Sequence, residues 1–208
     1  MDYFCTHYWQ KDSGMVSLVL KHLVYQRDYP AIVFAVLAEG RLGEQFVEGM
    51  TGWFYQKGIY EWAKNNTAAE LLERELERLW RTSKEGLQGG AVLLCRGKYF
   101  FAWNRGNTKV CLLNNRFGRN QCRSLLGKQE EGCIGGILES GVGLLLTTDN
   151  FRDGISRELL AKCLTMNTTI SQKAAEKKLQ ELGNKMEKEG GTHLAAMLIV
   201  ACQKKEEN

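Results

Sequence analysis

Apolar residues along this chain fall into two periods, short near-continuous runs and stripes three and four apart. The runs from Met15 to Tyr25 and from Ala31 to Ala38 predict two adjacent strands around a turn at residues 26–30. Gly40 then opens a stretch in which Phe46, Val47, Met50, Phe54 and Ile59 recur at helical spacing, interrupted by Gly49, Gly52 and Gly58. A second helix starts at Thr67, where Thr67 and Glu70 form a capping box and Leu72, Leu76, Leu79 and Trp80 share one face. Ala91 to Cys95, Lys98 to Trp103 and Lys109 to Leu113 predict an antiparallel meander broken at Arg96-Gly97 and Gly106-Asn107. Residues 114–136, rich in Asn, Arg, Gln and Gly, carry no clear period. A strand from Gly143 to Thr147 follows, then a short helix from Ser156 to Leu164, a longer one from Ser171 to Lys188 and a last strand from Leu194 to Cys202. Helices set between groups of antiparallel strands predict an α+β layered fold, because each sheet has a face to bury and the helical stripes supply the cover.

Composition narrows the class. The 208 residues, 44% hydrophobic and 25% charged, read as one domain over 1–208, with no internal repeat or linker. The net charge of +4 comes from 28 basic and 24 acidic residues without a long basic run, which argues against nucleic acid as a partner. No apolar stretch approaches the roughly 18 residues of a membrane span, and the N-terminus lacks the basic start and apolar run of a signal peptide. The expectation is a cytoplasmic protein without a membrane partner. Seven cysteines with no Cys-x-x-Cys pair read as reduced thiols rather than a disulfide framework or zinc site, and Cys95, Cys111 and Cys202 fall in strand patterns as small hydrophobes.

One segment carries candidate chemistry. Between Ile137 and Ile155 an apolar strand delivers Asp149 straight into a turn, which is how a sheet presents a metal ligand. This segment resembles that of the metal-dependent serine/threonine phosphatases of type 2C, bacterial-like, whose pattern there is Gly-Asp-x-Leu-Leu-Leu-x-Thr-Asp-Gly-Leu. Three further stretches resemble the family in order: Phe34 to Gly40 at a strand ending in Asp-Gly, Trp103 to Lys109 at Asn-Val-Gly-Asp-Ser-Arg, and Gly190 to Leu194 at the closing Gly-x-Asp-Asn-Ile. The resemblance implies an α-β-β-α four-layer sandwich of two antiparallel sheets, with a dinuclear manganese or magnesium site at one end.

Such chemistry needs several carboxylates converging on two divalent ions that activate a water. By the resemblance, Asp149, Glu39, Gly40 and Asp12 stand at the metal positions. His7 stands at a substrate-binding arginine, and His can donate to phosphate but lacks the forked, permanently charged donor set. Lys11 replaces a glutamate. Glu39 replaces the bridging aspartate and adds a methylene, Asn107 and Thr192 replace two carboxylates, and His193 follows Thr192 in the closing motif. A dinuclear site is poorly supplied, and an ammonium such as Lys11 near Glu39 or Asp149 is a physical substitute for the missing metal charge. Plainer readings stand beside these. Asp149 in an Asp-Asn turn accepts turn hydrogen bonds, Glu39 before Gly40 favours a helix start, and His7 and His193 are ordinary polar residues. Likewise His22 is a solvent-facing strand residue, the aromatics from Trp53 to Trp62 are helix packing, and the Lys/Glu run at 173–189 is a solvated face.

Three functions follow from this reading. The first is a degenerate phosphatase domain that acts by binding a phosphorylated protein or a kinase-pathway protein, with no metal or a single one. The second is a slow manganese- or magnesium-dependent phosphoserine/phosphothreonine phosphatase. The third, an N-terminal nucleophile hydrolase, shares a four-layer sandwich but needs processing to expose Cys5 or Thr6 and has no supporting motif.

Overall fold

A computed structural model describes residues 1–11, 14–24, 30–59, 68–126, 131–165 and 171–203. The chain forms two five-stranded antiparallel sheets packed face to face, each covered outside by helices. One sheet has the order β2-β3-β4-β5-β8, with β2 Val16–Leu23, β3 Ile32–Glu39, β4 Gly89–Arg96, β5 Tyr99–Gly106 and β8 Gly132–Ile137. The other has the order β1-β10-β9-β6-β7, with β1 Asp2–Trp9, β10 Ala195–Cys202, β9 Gly143–Thr148, β6 Thr108–Arg116 and β7 Arg119–Ser124. The four-layer α-β-β-α sandwich expected from the sequence is therefore the fold.

Sheets covered on both faces explain why the strands read as continuous apolar runs rather than strict alternations. Every residue of β3 is buried. Val33, Ala35 and Leu37 point into the layer between the sheets with Leu93, Leu144 and Met197. Phe34, Val36 and Ala38 point outward onto the first helical layer. That layer consists of α1, Gly43–Trp53, which runs on as a π-helical turn over Phe54–Gly58, and α2, Ala68–Ser83. Phe46, Met50, Phe54, Leu72 and Leu76 are fully buried on it, and Phe34 stacks on Phe54 with ring centroids 4.3 Å apart. Each such side chain contributes about 1.5–3 kcal/mol of burial. The glycine-broken stripe is thus one continuous helical segment with a wider last turn. The predicted cap at Thr67 and the aromatic Trp62 lie outside the described residues.

The second helical layer covers the other sheet. Here α4, Arg157–Leu164, and α5, Gln172–Lys188, follow a five-residue helix α3, Asp149–Asp153. Both longer helices start as predicted, with Ser156 Oγ accepting from the Leu159 amide and Ser171 Oγ from the Ala174 amide, each at 3.2 Å. Leu160, Leu164, Ala175 and Leu179 meet Leu145, Leu198 and Tyr8 beneath them. The Lys/Glu face of α5 is solvated and laced by Lys178–Glu181 and Lys185–Glu189 pairs.

Four strands differ from the sequence expectation. The predicted meander ends after the β4–β5 hairpin: at Gly106 and Asn107 the chain turns a corner and β6 joins the opposite sheet, between β9 and β7. Gly106, at φ 62°, makes this corner, and its Cα lies against Gln88 so closely that a side chain would collide with the Gln88 carbonyl. β1 was not expected, since its residues are aromatic and polar rather than aliphatic, yet it pairs along β10 from Asp2–Cys202 to Trp9–Ala195. The patternless stretch after residue 113 holds the two edge strands β7 and β8. Cys95 and Cys111 are buried as expected, and His22 is exposed, bonded through Nε2 to Asp2 Oδ1 at 3.2 Å. Among the described residues, no helix is long and apolar enough to cross a membrane.

Candidate functional site

Four chain segments converge at one end of the sandwich. β3 delivers Glu39 and then reverses at Gly40, whose φ of 123° is open only to glycine. A Cβ there would collide with the Gly86 carbonyl and lie 2.9 Å from the Gln88 nitrogen, so the approach of the β4 entry loop also demands glycine. The Gln88 amide donates to the Glu39 carbonyl and the Gly40 amide to the Met15 carbonyl, both at 2.8 Å. Glu39 is 2% exposed, and the Gly40 carbonyl accepts from the Gly43 amide at 3.0 Å, at the start of α1.

β9 delivers Asp149 from the opposite sheet as the first residue of α3, not as a free turn residue. Its amide donates to the Asn107 carbonyl at 2.8 Å, and the Asn107 amide donates to the Gln88 carbonyl at 2.9 Å. Asp149 and Asn107 are thereby linked through backbone to the loop that holds Glu39. Asn150 Nδ2 donates to the Thr192 carbonyl at 2.9 Å, which ties the β9 end to the loop before β10. The asparagine in place of the family's glycine therefore has a structural use.

His193 completes the cluster. It is held at φ 55°, a left-handed conformation uncommon outside glycine and asparagine, and its Nδ1 lies 2.9 Å from Glu39 Oε1. The pair joins the two sheets. Burial pushes the Glu39 carboxyl above its ordinary range, the His193 hydrogen bond and charge draw it back down, and the neighbouring Asp149 carboxylate pushes it up again. The group that meets Glu39 is therefore His193, in the role the sequence reading gave to Lys11. The Lys11 ammonium instead lies 5.4 Å from the centre of the Trp9 ring, a cation–π contact. Nothing in the sequence pairs residues 154 positions apart, and an unusual backbone conformation at His193 leaves no trace in composition.

Of the other sequence candidates, His7 lies mid-strand in β1, its ring stacked on Trp9 at 5.9 Å and its carbonyl accepting from Gln180 Nε2 at 2.7 Å. Asp12 lies outside the described residues. The chain just before it is docked at this end, since the Gln10 amide donates to the Leu194 carbonyl at 2.8 Å and Gln10 Nε2 to the Gly191 carbonyl at 3.1 Å. Thr192 and Asn107 are exposed, with neutral side chains where the family resemblance expects carboxylates.

Solved structures with this fold include phosphatase domains. The chain superposes on the phosphatase domain of SpoIIE from Bacillus subtilis with a TM-score of 0.61 and 10% identity, over 96% of this chain and 63% of that one, so it spans less than two thirds of the SpoIIE fragment. It matches RsbX in complex with magnesium with a TM-score of 0.61 and 13% identity, over 95% and 94% of the two chains. For the catalytic domain of the serine/threonine phosphatase PstP in complex with two manganese ions, the TM-score is 0.53 and the identity 13%, over 97% and 100%. The fold is that of the type 2C phosphatases. No family model and no curated protein matches the sequence itself.

The fold's metals can be tested against the donors present. Glu39 and Asp149 are carboxylates, but Glu39 is engaged by His193, and Asn107 and Thr192 bring no charge. Among the described residues, no group of three or more His, Cys, Asp or Glu is placed to hold an ion. These residues do not fit a dinuclear centre, which needs several convergent oxygen ligands per ion.

Proposed function

We propose that this chain is a degenerate type 2C phosphatase-like domain that acts by binding, the metal end of the fold having become a hydrogen-bonded clasp between the sheets. The observation that carries this reading is the Glu39–His193 contact. It occupies the carboxylate that the resemblance puts between two ions, and it gives Glu39 a hydrogen-bonded side-chain partner where those ions would otherwise stand. The partner class we favour is a phosphorylated protein or another protein of a kinase pathway, consistent with what this fold handles. Seven free thiols suit a reducing cytoplasm, of a bacterium by the company of its structural neighbours.

A second reading has one observation behind it. Glu39 and Asp149 are close enough to repel, which is the starting point for a cation site, and a slow manganese- or magnesium-dependent protein phosphatase would use them. Calorimetric titration with manganese separates the two. The degenerate reading predicts no ion or a single one; two ions per chain, lost in Asp149→Ala, would favour the enzyme.

A further inference from the structure

At the opposite end of the sandwich, β7 and β8 form the facing edges of the two sheets, and they do not close on each other. The inner face of β6 continues from Val110 and Leu112 to Asn114, and register places Arg123 of β7 beside Leu112. Across the gap, β8 offers Ile134 and then Gly136, paired with Phe100 of β5. An inward-facing arginine on one edge, and on the other a glycine covered by the Phe100 ring, border a cavity of about 850 Å³. Its floor is apolar: Phe100 and Leu112 keep 7% and 8% exposure where Leu144 and Leu146, deeper in the same layer, have none. Arg116, Arg123 and Arg157 line its mouth, where among the described lining residues only Glu139 brings a carboxylate. None of the three arginines forms an ion pair among the described residues. Asn114, only 6% exposed, lines the same cavity, and its Oδ1 is buried without a hydrogen-bond partner among the described residues. An amide oxygen accepts, so only a donor such as a hydroxyl or a protonated phosphate oxygen could satisfy it.

The geometry points to a binding site here for a small anionic amphiphile, an oxyanion head on an apolar body. The volume lies within the range of small-molecule sites, and an apolar floor with a few convergent polar groups is their usual make-up. Guanidinium forks pair with carboxylate or phosphate oxygens, and the space over Phe100, Leu112 and Ile134 takes the apolar part. An inward-pointing edge charge also guards a sheet against edge-to-edge pairing. That role accounts for Arg123 but not for the cavity or the two further arginines. The site is about 20 Å from the Glu39 end, six strand residues along β6, and holds whether or not that end binds metal.

Titration calorimetry with decanoate, decyl phosphate and decanol on the full chain tests the assignment, with Arg123→Ala and Ile134→Trp as variants and circular dichroism as the folding check. One decanoate or decyl phosphate per chain is expected. Arg123→Ala should weaken it about tenfold or more, Ile134→Trp should abolish it by filling the space, and decanol should bind at least about tenfold more weakly. The tighter of the two anions names the head group. Absence of saturable binding for both anions, decanol binding as tightly as they do, or affinity unchanged in folded Arg123→Ala would overturn the site.

Discussion

His193 Nδ1 lies 2.9 Å from Glu39 Oε1, joining the end of β3 in one sheet to the loop that opens β10 in the other. This contact puts a hydrogen bond and a titratable partner at the position where the fold's relatives are expected to place a bridging metal ligand. It makes the carboxyl of Glu39 part of the protein's stability, and that role has consequences that can be measured.

The first is a pH dependence. Burial is the strongest influence on the Glu39 carboxyl and raises it above its ordinary value of 4.5 in the folded chain. The folded chain then holds a proton that the unfolded chain releases, so the stability linked to Glu39 is full below 4.5 and declines as pH rises through the folded value. Urea unfolding of the wild type and Glu39→Gln from acid to neutral pH should show the difference in stability moving in favour of Glu39→Gln over that window. A constant difference would mean that Glu39 titrates normally.

Gly40→Ala should destabilise the fold by about 2 kcal/mol or more, because the added Cβ meets the Gly86 carbonyl and the φ of 123° is strained for any side chain. Denaturant midpoints with an unchanged slope would confirm a local effect.

Asn150→Ala removes the Nδ2 bond to the Thr192 carbonyl and should cost about 1 kcal/mol. Amide hydrogen exchange should quicken around residues 190–194 while β3 and β4 keep their protection.

Restoring carboxylates should restore a cation site. The double variant Asn107→Asp/Thr192→Asp should bind manganese more tightly than the wild type, read as an upward shift in melting temperature with added ion. A shift of equal size in both proteins would show that Asn107 and Thr192 were never the missing ligands.

Much of this architecture can be read from the sequence, for reasons tied to particular residues. β3, β9 and β10 are buried on both faces, so Ile32 to Ala38 and Leu194 to Cys202 announce themselves as apolar runs, and Ser156 and Ser171 mark their helices by capping chemistry. β7 and β8 are edge strands with sequences Arg-Asn-Gln-Cys-Arg-Ser and Gly-Cys-Ile-Gly-Gly-Ile, held by pairing to β6 and β5 rather than by a buried face, so no period exposes them. The switch of β6 to the other sheet rests on Gly106 and its long-range packing against Gln88, which looks locally like any hairpin turn. At the site, Glu39, Gly40, Asp149, Asn107, Thr192 and His193 could be picked out because the resemblance preserved their order. The Glu39–His193 pair could not, since it depends on two loops from different sheets meeting in three dimensions. Lys11 was the available cation in the linear sequence; its ammonium packs over Trp9 instead.

The most direct test of the central claim is hydrolysis of an aryl phosphate at high protein concentration with added manganese, comparing the wild type with Asp149→Ala from parallel preparations. A degenerate domain predicts the same background rate for both. Manganese-dependent turnover in the wild type that disappears in Asp149→Ala would contradict it and establish a working metal site.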